Sequence, residues 1–496
     1  MKTTYNLILA AFAAAMALSS CAKEIVADKQ EADPADGLRT IEVSFETPTR
    51  TVLDEDDMVP VFKKGDKIMV ANGEEWEECT VTPSLLEKGS ASFTTKLSGD
   101  LCVVYPSKAA IVKNGYIKND VKVSSNQSGR FEDANIASGT CYSGAKRLTL
   151  YHCTAVLRFY VGQSIGVDSL VIEASNNYLA NGQFDEKTGN RLSDKPSKKV
   201  KIVPQDGEDV CYAAVRAMYG DTLTVRSYTK TQTVENEGGL VARRYCPVFL
   251  TEGNLVDVFI PYYIEVQVGD ATQRWGYCNV GAFRPKEVGK YFAWGSKEGF
   301  KWDEKNDCFK YEHVFNWTSC PFNGGAEECN DSLFNANIDS VCPEGILDPK
   351  NDAAFEIWKG YWRMPRKDEI DSLYAHVPTD AIGEKGLTIG KLFFPLTGFG
   401  TESFDESGKE YSYVDWDDCG MYWTSSLYDG DLSTAYCFNF TYHDAERGDP
   451  VPSGFKKIGE NFSRRWGMPI RPIFDFQQVH DVPLEPINKY IDGGDF

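Results

Sequence analysis

Between Thr40 and Pro261 the side chains alternate between apolar and polar with a period of two, and this alternation limits the folds open to the chain more than any other feature. Ile41, Val43 and Phe45 alternate with polar neighbours, as do Leu223 and Val225 within Asp221 to Tyr228. A period of two puts one set of side chains on one face of a strand, so this half is read as all-β. Ala155, Leu157, Phe159 and Val161 form one side of a longer strand whose other side holds Val156, Arg158 and Tyr160. Leu255 to Ile260 is a further apolar strand, ending at Pro261, and Asn72-Gly73, Asn114-Gly115 and Asp206-Gly207 supply turns between runs. The spacing predicts two β-sandwiches in series, over 40–162 and 163–268, joined near Gly162 to Gly166.

The pattern changes after Asp270. Nine of the ten tryptophans lie from Trp275 onward, and Gly, Asn and Asp fill long segments with little periodicity. This predicts a compact, loop-rich α+β domain over 269–476, followed by a tail over 477–496. Trp294, Trp362 and Trp423 sit in short apolar stretches, as expected of large side chains that hold loops together. Arg363 and Arg471, beside apolar residues, are expected to tie loops through bidentate hydrogen bonds. After Pro365, residues Ile370, Leu373, Tyr374 and Val377 fall at helical spacing and form a core stripe. A shorter helix is expected over Asp352 to Lys359, closed by Gly360.

The first 20 residues read as a signal peptide. Lys2 precedes an apolar run from Leu7 to Leu18, then Ser19-Ser20-Cys21. Leu18-Ser19-Ser20-Cys21 has the aliphatic–small–small–Cys order of a lipobox, so Cys21 is the expected lipidation site. The apolar run is well short of the roughly 20 residues that span a bilayer. Residues 21–39 are polar and read as a tether, with Lys23-Glu24 a partial match to the surface-export signal of Bacteroidales lipoproteins. The expected location is the outer membrane or cell surface, held by the lipid.

The net charge of −21 disfavours nucleic acid and anionic membrane faces as partners. Of 14 cysteines, Cys21 is set aside, which leaves an odd number with no CxxC pair. Only five histidines are present, so a zinc site is not expected. Buried free thiols with one or two bridges are the expected use of the rest.

The N-terminal half resembles the fimbrillin family, pilus subunits and related lipoproteins of Bacteroidales-type cell surfaces. The matching pieces are Ile41 to Phe45, Thr49-Arg50-Thr51-Val52-Leu53, Gly65-Asp66-Lys67-Ile68-Met69-Val70, Ala91-Ser92-Phe93, Val104-Tyr105-Pro106, Gln127 and Leu157-Arg158-Phe159. Phe62 stands where the family often has Trp. The resemblance implies paired sandwiches in which a neighbour's extended segment completes a sheet. It also implies proteolytic maturation at an arginine near the N-terminus, for which Arg39 and Arg50 are the candidates; permanent anchoring through Cys21 is the alternative.

The C-terminal half is similar to the major paralogous domain of lipoproteins from the same bacteria, whose fold resembles C-type lectins. The carriers are Trp275-Gly276-Tyr277-Cys278-Asn279-Val280-Gly281-Ala282, Tyr291-Phe292-Ala293-Trp294-Gly295 and Asp352-Ala353-Ala354. Tyr361-Trp362-Arg363-Met364-Pro365, Phe394-Pro395-Leu396-Thr397-Gly398, Tyr422-Trp423-Thr424-Ser425-Ser426, Ala435 to Phe440 and Ile470-Arg471-Pro472-Ile473 complete the match.

Chemistry is sparse. The Glu-Pro-Asn and Gln-Pro-Asp calcium loops of such lectins are missing, so no metal or cofactor is expected. No HExxH, GxSxG, P-loop or dinucleotide fingerprint occurs. Cys419 and Cys437 flank Tyr422 to Ser426, but the copper-binding cysteine pair of sulfatase-modifying enzymes is not expected of them. Sugar recognition is placed in the segments from Phe399 to Asp418 and from Tyr428 to Ser433, with Asp415, Trp416, Asp417 and Tyr428 as candidate ligand residues. The resulting expectation is a non-catalytic adhesin or fimbrial subunit, at a tip or accessory position, that binds a glycan or a host or bacterial surface protein. Its partners are other subunits through strand addition. A lipid-anchored glycan-capture protein that does not polymerise is the alternative, and an unrecognised carbohydrate-active enzyme the third reading.

Overall fold

The computed structural model describes residues 37–46, 61–87, 89–113, 116–162, 165–184, 191–193, 195–229, 240–358, 361–376, 382–383, 385–415, 417–441 and 461–475. Cys21, Arg50, Trp416, Val377 and the 477–496 tail lie outside them. The chain is mainly β.

The first sheet has eight strands in the order Trp76–Thr80, Lys67–Ala71, Leu101–Tyr105, Ala137–Cys141, Arg147–His152, Arg39–Phe45, Ser90–Thr95, Thr82–Pro83. Its two flanks turn their inward residues onto one core, where Ile41, Val43, Ile68, Val70, Phe93, Val103 and Leu150 meet. Arg39–Phe45 sits inside this sheet, parallel to Arg147–His152 and antiparallel to Ser90–Thr95. Its alternate residues are buried, as the period of two requires. Phe62 stacks on Phe45 with ring centroids 4.4 Å apart.

Two further sheets face each other across a second core. One holds Val210–Val215, Ala155–Tyr160 and Leu255–Val258; the other holds Leu240–Leu250, Met218–Thr229, Val167–Ala174, Lys199–Ile202 and Asn126–Gln127. Leu157, Phe159, Leu170, Ile172, Val200, Ala213 and Val225 fill the space between them. The strand Ala155–Tyr160, counted above with the first sandwich, pairs here with Val210–Val215 and Leu255–Val258. The changeover between sheets therefore falls before Ala155, not near Gly162 to Gly166. Asn126–Gln127, also counted with the first sandwich, pairs with Lys199–Ile202.

The tryptophan-rich part is built on a four-stranded sheet of Tyr263–Val268, Ala271–Gly276, Ile473–Phe474 and Trp362–Arg363, so its first and last strands close it. Three helices pack around it: Asp331–Val341, Ala353–Trp358 and Lys367–Tyr374. Ile370 and Leu373 point inward, as their spacing predicted. Helix Ala353–Trp358 starts where the Asp352 carboxylate accepts the Ala354 and Phe355 N–H groups at 2.8 and 3.1 Å. Arg471 is fully buried and behaves as expected of a tie: it donates to Asn279 Oδ1 at 2.6 Å, Gly276 O at 3.0 Å and Phe393 O at 2.9 Å. Arg363 bridges Glu369 and Asp475 at 2.7 and 2.9 Å.

One apolar cluster runs from the second sandwich into this part, joining Leu157 and Val225 to Trp275, Leu373, Phe394 and Phe438. The polar face of Ala155–Tyr160 is covered as well: Tyr160 packs on Phe283, with ring centroids 5.0 Å apart, under the Arg284 guanidinium. The C-terminal part is therefore set on its stem by packing, not hung on a linker.

Candidate functional site

Among the sheets of the C-terminal part, the hairpin Phe399–Phe404 with Glu410–Asp415 departs from the rule that aromatic side chains go inward. Thr401 pairs with Tyr413 and Ser403 with Tyr411, so these four side chains share one face. Tyr411 and Tyr413 lie side by side there, ring centroids 6.3 Å apart, both reaching solvent. Asp415 continues the same face, and the Tyr413 phenol hydrogen-bonds its carboxylate. Partial burial and then that carboxylate push the phenol above its ordinary value.

The opposite face anchors the ribbon. Ser412 is buried and accepts the Phe315 N–H at 2.7 Å; Asn316 donates to Glu410 Oε1 at 2.9 Å, and Lys409 pairs with Glu312 at 3.1 Å. Val414 packs onto Tyr291, Phe309 and Phe315. Phe309 meets Phe315 and Trp302 edge-on at 4.9 and 5.0 Å, a stiff aromatic base under a thin hairpin.

Two more exposed aromatics border the ribbon. Phe404 is 64% exposed at its tip, and Tyr311 is 78% exposed on the adjoining segment. Tyr311 and Glu312 are consecutive non-glycine residues at φ 63° and 50°, a left-handed pair held by the Glu312–Lys409 contact. The outcome is a surface of tyrosine faces, hydroxyls and one carboxylate on a rigid support. Tyrosine faces of this kind can stack on an apolar surface, and the hydroxyls and carboxylate beside them can exchange hydrogen bonds.

The candidate ligand residues separate. Asp415 belongs to the ribbon and Asp417 is exposed in the turn that follows. Tyr428 lies beyond the far end of Cys419–Leu427, a nine-residue strand about 25 Å long, so it is not part of the same site. Its ring rests edge-on against Tyr436 at 5.2 Å. Trp416 falls outside the described residues. Tyr411, Tyr413, Thr401 and Ser403 were not singled out by sequence, although the Tyr-Ser-Tyr alternation was there to be read.

Other expected positions resolve as follows. Arg39 is only 6% exposed, begins a paired strand, and donates to Gly99 O at 2.7 Å and Tyr142 O at 2.9 Å. It is no surface residue, and a protease needs that strand end opened to reach it. Cys419 pairs across the ladder with Thr441 and Cys437 with Trp423, so the two thiols are staggered by four residues. Burial pushes the Cys419 thiol up to about 12. Among the described residues, Cys320, Cys329, Cys342 and Cys419 form no disulfide. Among the described residues no group of His, Cys, Asp and Glu has the geometry of a metal site, and no helix is long and apolar enough to cross a membrane.

No family model and no curated protein matches the chain. Among solved structures it is similar to a "putative cell adhesion protein" from Bacteroides ovatus ATCC 8483, at 14% identity and a TM-score of 0.26, over 48% of this chain and 95% of that one. It also overlaps a leucine-rich repeat protein from Bacteroides thetaiotaomicron VPI-5482, at 10% identity and a TM-score of 0.13, over 45% of this chain and 26% of the other.

Proposed function

We propose that this chain is a non-catalytic binding protein displayed on a Gram-negative cell surface by the lipid at Cys21, an adhesin or a tip or accessory subunit of a fimbria. The observation that carries this reading is the solvent-facing Tyr411–Tyr413 ribbon with Asp415 at its edge, mounted on a module that shares a core with its stem. Exposed aromatics cost solubility unless something covers them part of the time. The net charge of −21 disfavours nucleic acid and leaves neutral glycans and protein faces as ligands.

The assembly half of the reading rests on Arg39–Phe45. This strand follows the tether directly and lies between two neighbours, so a cut after Arg50 detaches it and opens both flanking strands to a donated segment. A cut after Arg39 leaves it in place. The permanently anchored reading is favoured by the same strand, because Ile41, Val43 and Phe45 are buried and both its edges are paired. Mass spectrometry of the N-terminus of native surface material separates the two. A new terminus at Thr51 supports assembly; acyl-Cys21 with an intact N-terminal segment supports permanent anchoring. A glycan array probed with the full chain tests the binding function itself.

A further inference from the structure

Arg464 is fully buried, and neither of its Nη atoms makes a hydrogen bond. Nε donates to Leu432 O at 2.6 Å, the guanidinium lies 3.8 Å from the centre of the Phe334 ring and 5.8 Å from that of Trp317, and it interacts with the Cys329 sulfur. Burying a cation without a counter-charge is costly, so what surrounds it is informative. Its charge acts on three thiols, those of Cys320, Cys329 and Cys342.

Two of the three are held together by one side chain. Asn323 is buried, and its Nδ2 donates to Trp317 O at 2.9 Å, Ala326 O at 2.9 Å and Glu328 O at 3.0 Å, while its Oδ1 accepts Asn330 N–H at 2.7 Å. Cys329 lies between Glu328 and Asn330, both bonded to that amide. Cys320 donates its N–H to the same Trp317 carbonyl, at 3.3 Å. The two cysteines thus flank one amide group, the Cys320 S–H directed to Pro321 O at 3.6 Å and the Cys329 S–H to the Asp331 carboxylate at 3.1 Å. Cys342 follows the other end of the eleven-residue helix Asp331–Val341, about 16 Å along its axis. Cys329 also precedes Asn330, the N-cap of that helix, where the backbone favours an anion.

We propose that Cys320 and Cys329 are a redox pair that closes to a disulfide in an oxidising compartment, with Arg464 as the cation that stabilises the attacking thiolate. The oxidant is a small disulfide of the glutathione class. Cys329 loses its proton to solvent and its sulfur attacks one sulfur of the oxidant, whose S–S bond breaks and releases one thiol. Cys320 then loses its proton and attacks the Cys329 sulfur, forming the internal S–S bond and releasing the second thiol. Two protein thiols are oxidised and one disulfide is reduced to two thiols. Burial and the Asp331 carboxylate, which accepts the Cys329 S–H at 3.1 Å, push that thiol up to about 11, so closure accelerates with pH across the alkaline range. The bridge clips the loop that carries Trp317 and continues into Asn316, the residue that steadies Glu410 at the base of the tyrosine ribbon.

The test is peptide mapping of the full chain after equilibration with oxidised glutathione, free thiols being alkylated before cleavage at glutamate. Glu327 and Glu328 lie between the two cysteines, so the flanking peptides stay joined only through a bridge. The expected result is a Cys320–Cys329 bridge, two hydrogens lighter than the reduced pair, formed equally in the Cys342→Ser chain. Closure is expected to slow at least tenfold in Arg464→Gln and to recover in Arg464→Lys. Alkylation of both Cys320 and Cys329, or a bridge from either to Cys342, overturns the pairing. Equal closure rates in the Arg464 variants, each checked for a native circular dichroism spectrum, overturn the role given to the guanidinium.

Discussion

Tyr411 and Tyr413 stand two residues apart on one face of the Glu410–Asp415 strand, their ring centroids 6.3 Å apart and their planes inclined by 46°. A strand carries both because successive side chains alternate and Ser412 between them points into the base.

From this follows the first prediction. Tyr411→Ala or Tyr413→Ala weakens binding to whichever array ligands the full chain captures by about tenfold each, the scale of one lost aromatic contact of 1–1.5 kcal/mol. Neither shifts the thermal midpoint by more than about 2 °C, because Tyr411 is exposed and Tyr413 only partly buried. Biolayer interferometry against the captured glycans, with a melting scan beside it, reads both quantities.

Asp221 yields a prediction about the stem. Its buried carboxylate accepts the N–H groups of Asn176, Asn177 and Thr222, at 3.0, 2.7 and 2.7 Å, with both asparagine side chains adding a bond. Asp221→Ala orphans those donors and costs about 3 kcal/mol in denaturant unfolding. Desolvation works against the charge, but these hydrogen bonds prevail and hold the carboxyl down to about 2. A carboxyl depressed in the fold stabilises it above the unfolded value of 3.8 and loses that contribution as pH falls toward 2. The stability gap between the native chain and Asp221→Ala therefore narrows over that window.

Asp352 works in the opposite direction. Full burial pushes its carboxyl up to about 6, even though Met364, Ala354 and Phe355 donate backbone N–H groups to it. A carboxyl raised in the fold binds its proton more tightly there than in the unfolded chain, so its contribution grows as pH falls from about 6 to 3.8. Urea unfolding at pH 7 and pH 5 is expected to show native stability relative to Asp352→Ala increasing by about 1 kcal/mol or more at the lower pH. A constant difference contradicts the burial argument.

How much of this was legible in the sequence depended on whether the signal was local. The period of two located Ile41, Val43 and Phe45, and the helical stripe located Ile370 and Leu373, because each faces one core along its whole length. The same periodicity could not say which strands pair. Ala155–Tyr160 was grouped with what precedes it, whereas its partners begin at Val210 and Leu255. Helix Asp331–Val341 went unread because its run of Asp, Ser and Asn favours caps and turns; only Phe334 and Val341 are buried in it. The tyrosine ribbon escapes the strand pattern for a related reason: its alternation points aromatics outward, opposite to the pattern that marks a half-buried strand.

Arg471 supplies the last structural prediction. Its fork donates to four acceptors in two segments, Gly276, Tyr277 and Asn279 in one and Phe393 in the other, with the guanidinium carbon 4.8 Å from the Phe394 ring centre. Lysine has no planar fork to satisfy them together, so Arg471→Lys destabilises the C-terminal part by about 3 kcal/mol, and limited proteolysis cuts it after Asp270 first.

The most direct measurement is adhesion of cells displaying the native chain, the Tyr411→Ala/Tyr413→Ala chain, or the Cys21→Ser chain to a panel of immobilised neutral glycans and surface proteins. The account predicts that native cells adhere, that the double tyrosine variant is displayed at equal density and adheres at least tenfold less, and that Cys21→Ser cells lose both display and adhesion. Adhesion unchanged by loss of the two tyrosines, at equal display, would contradict it.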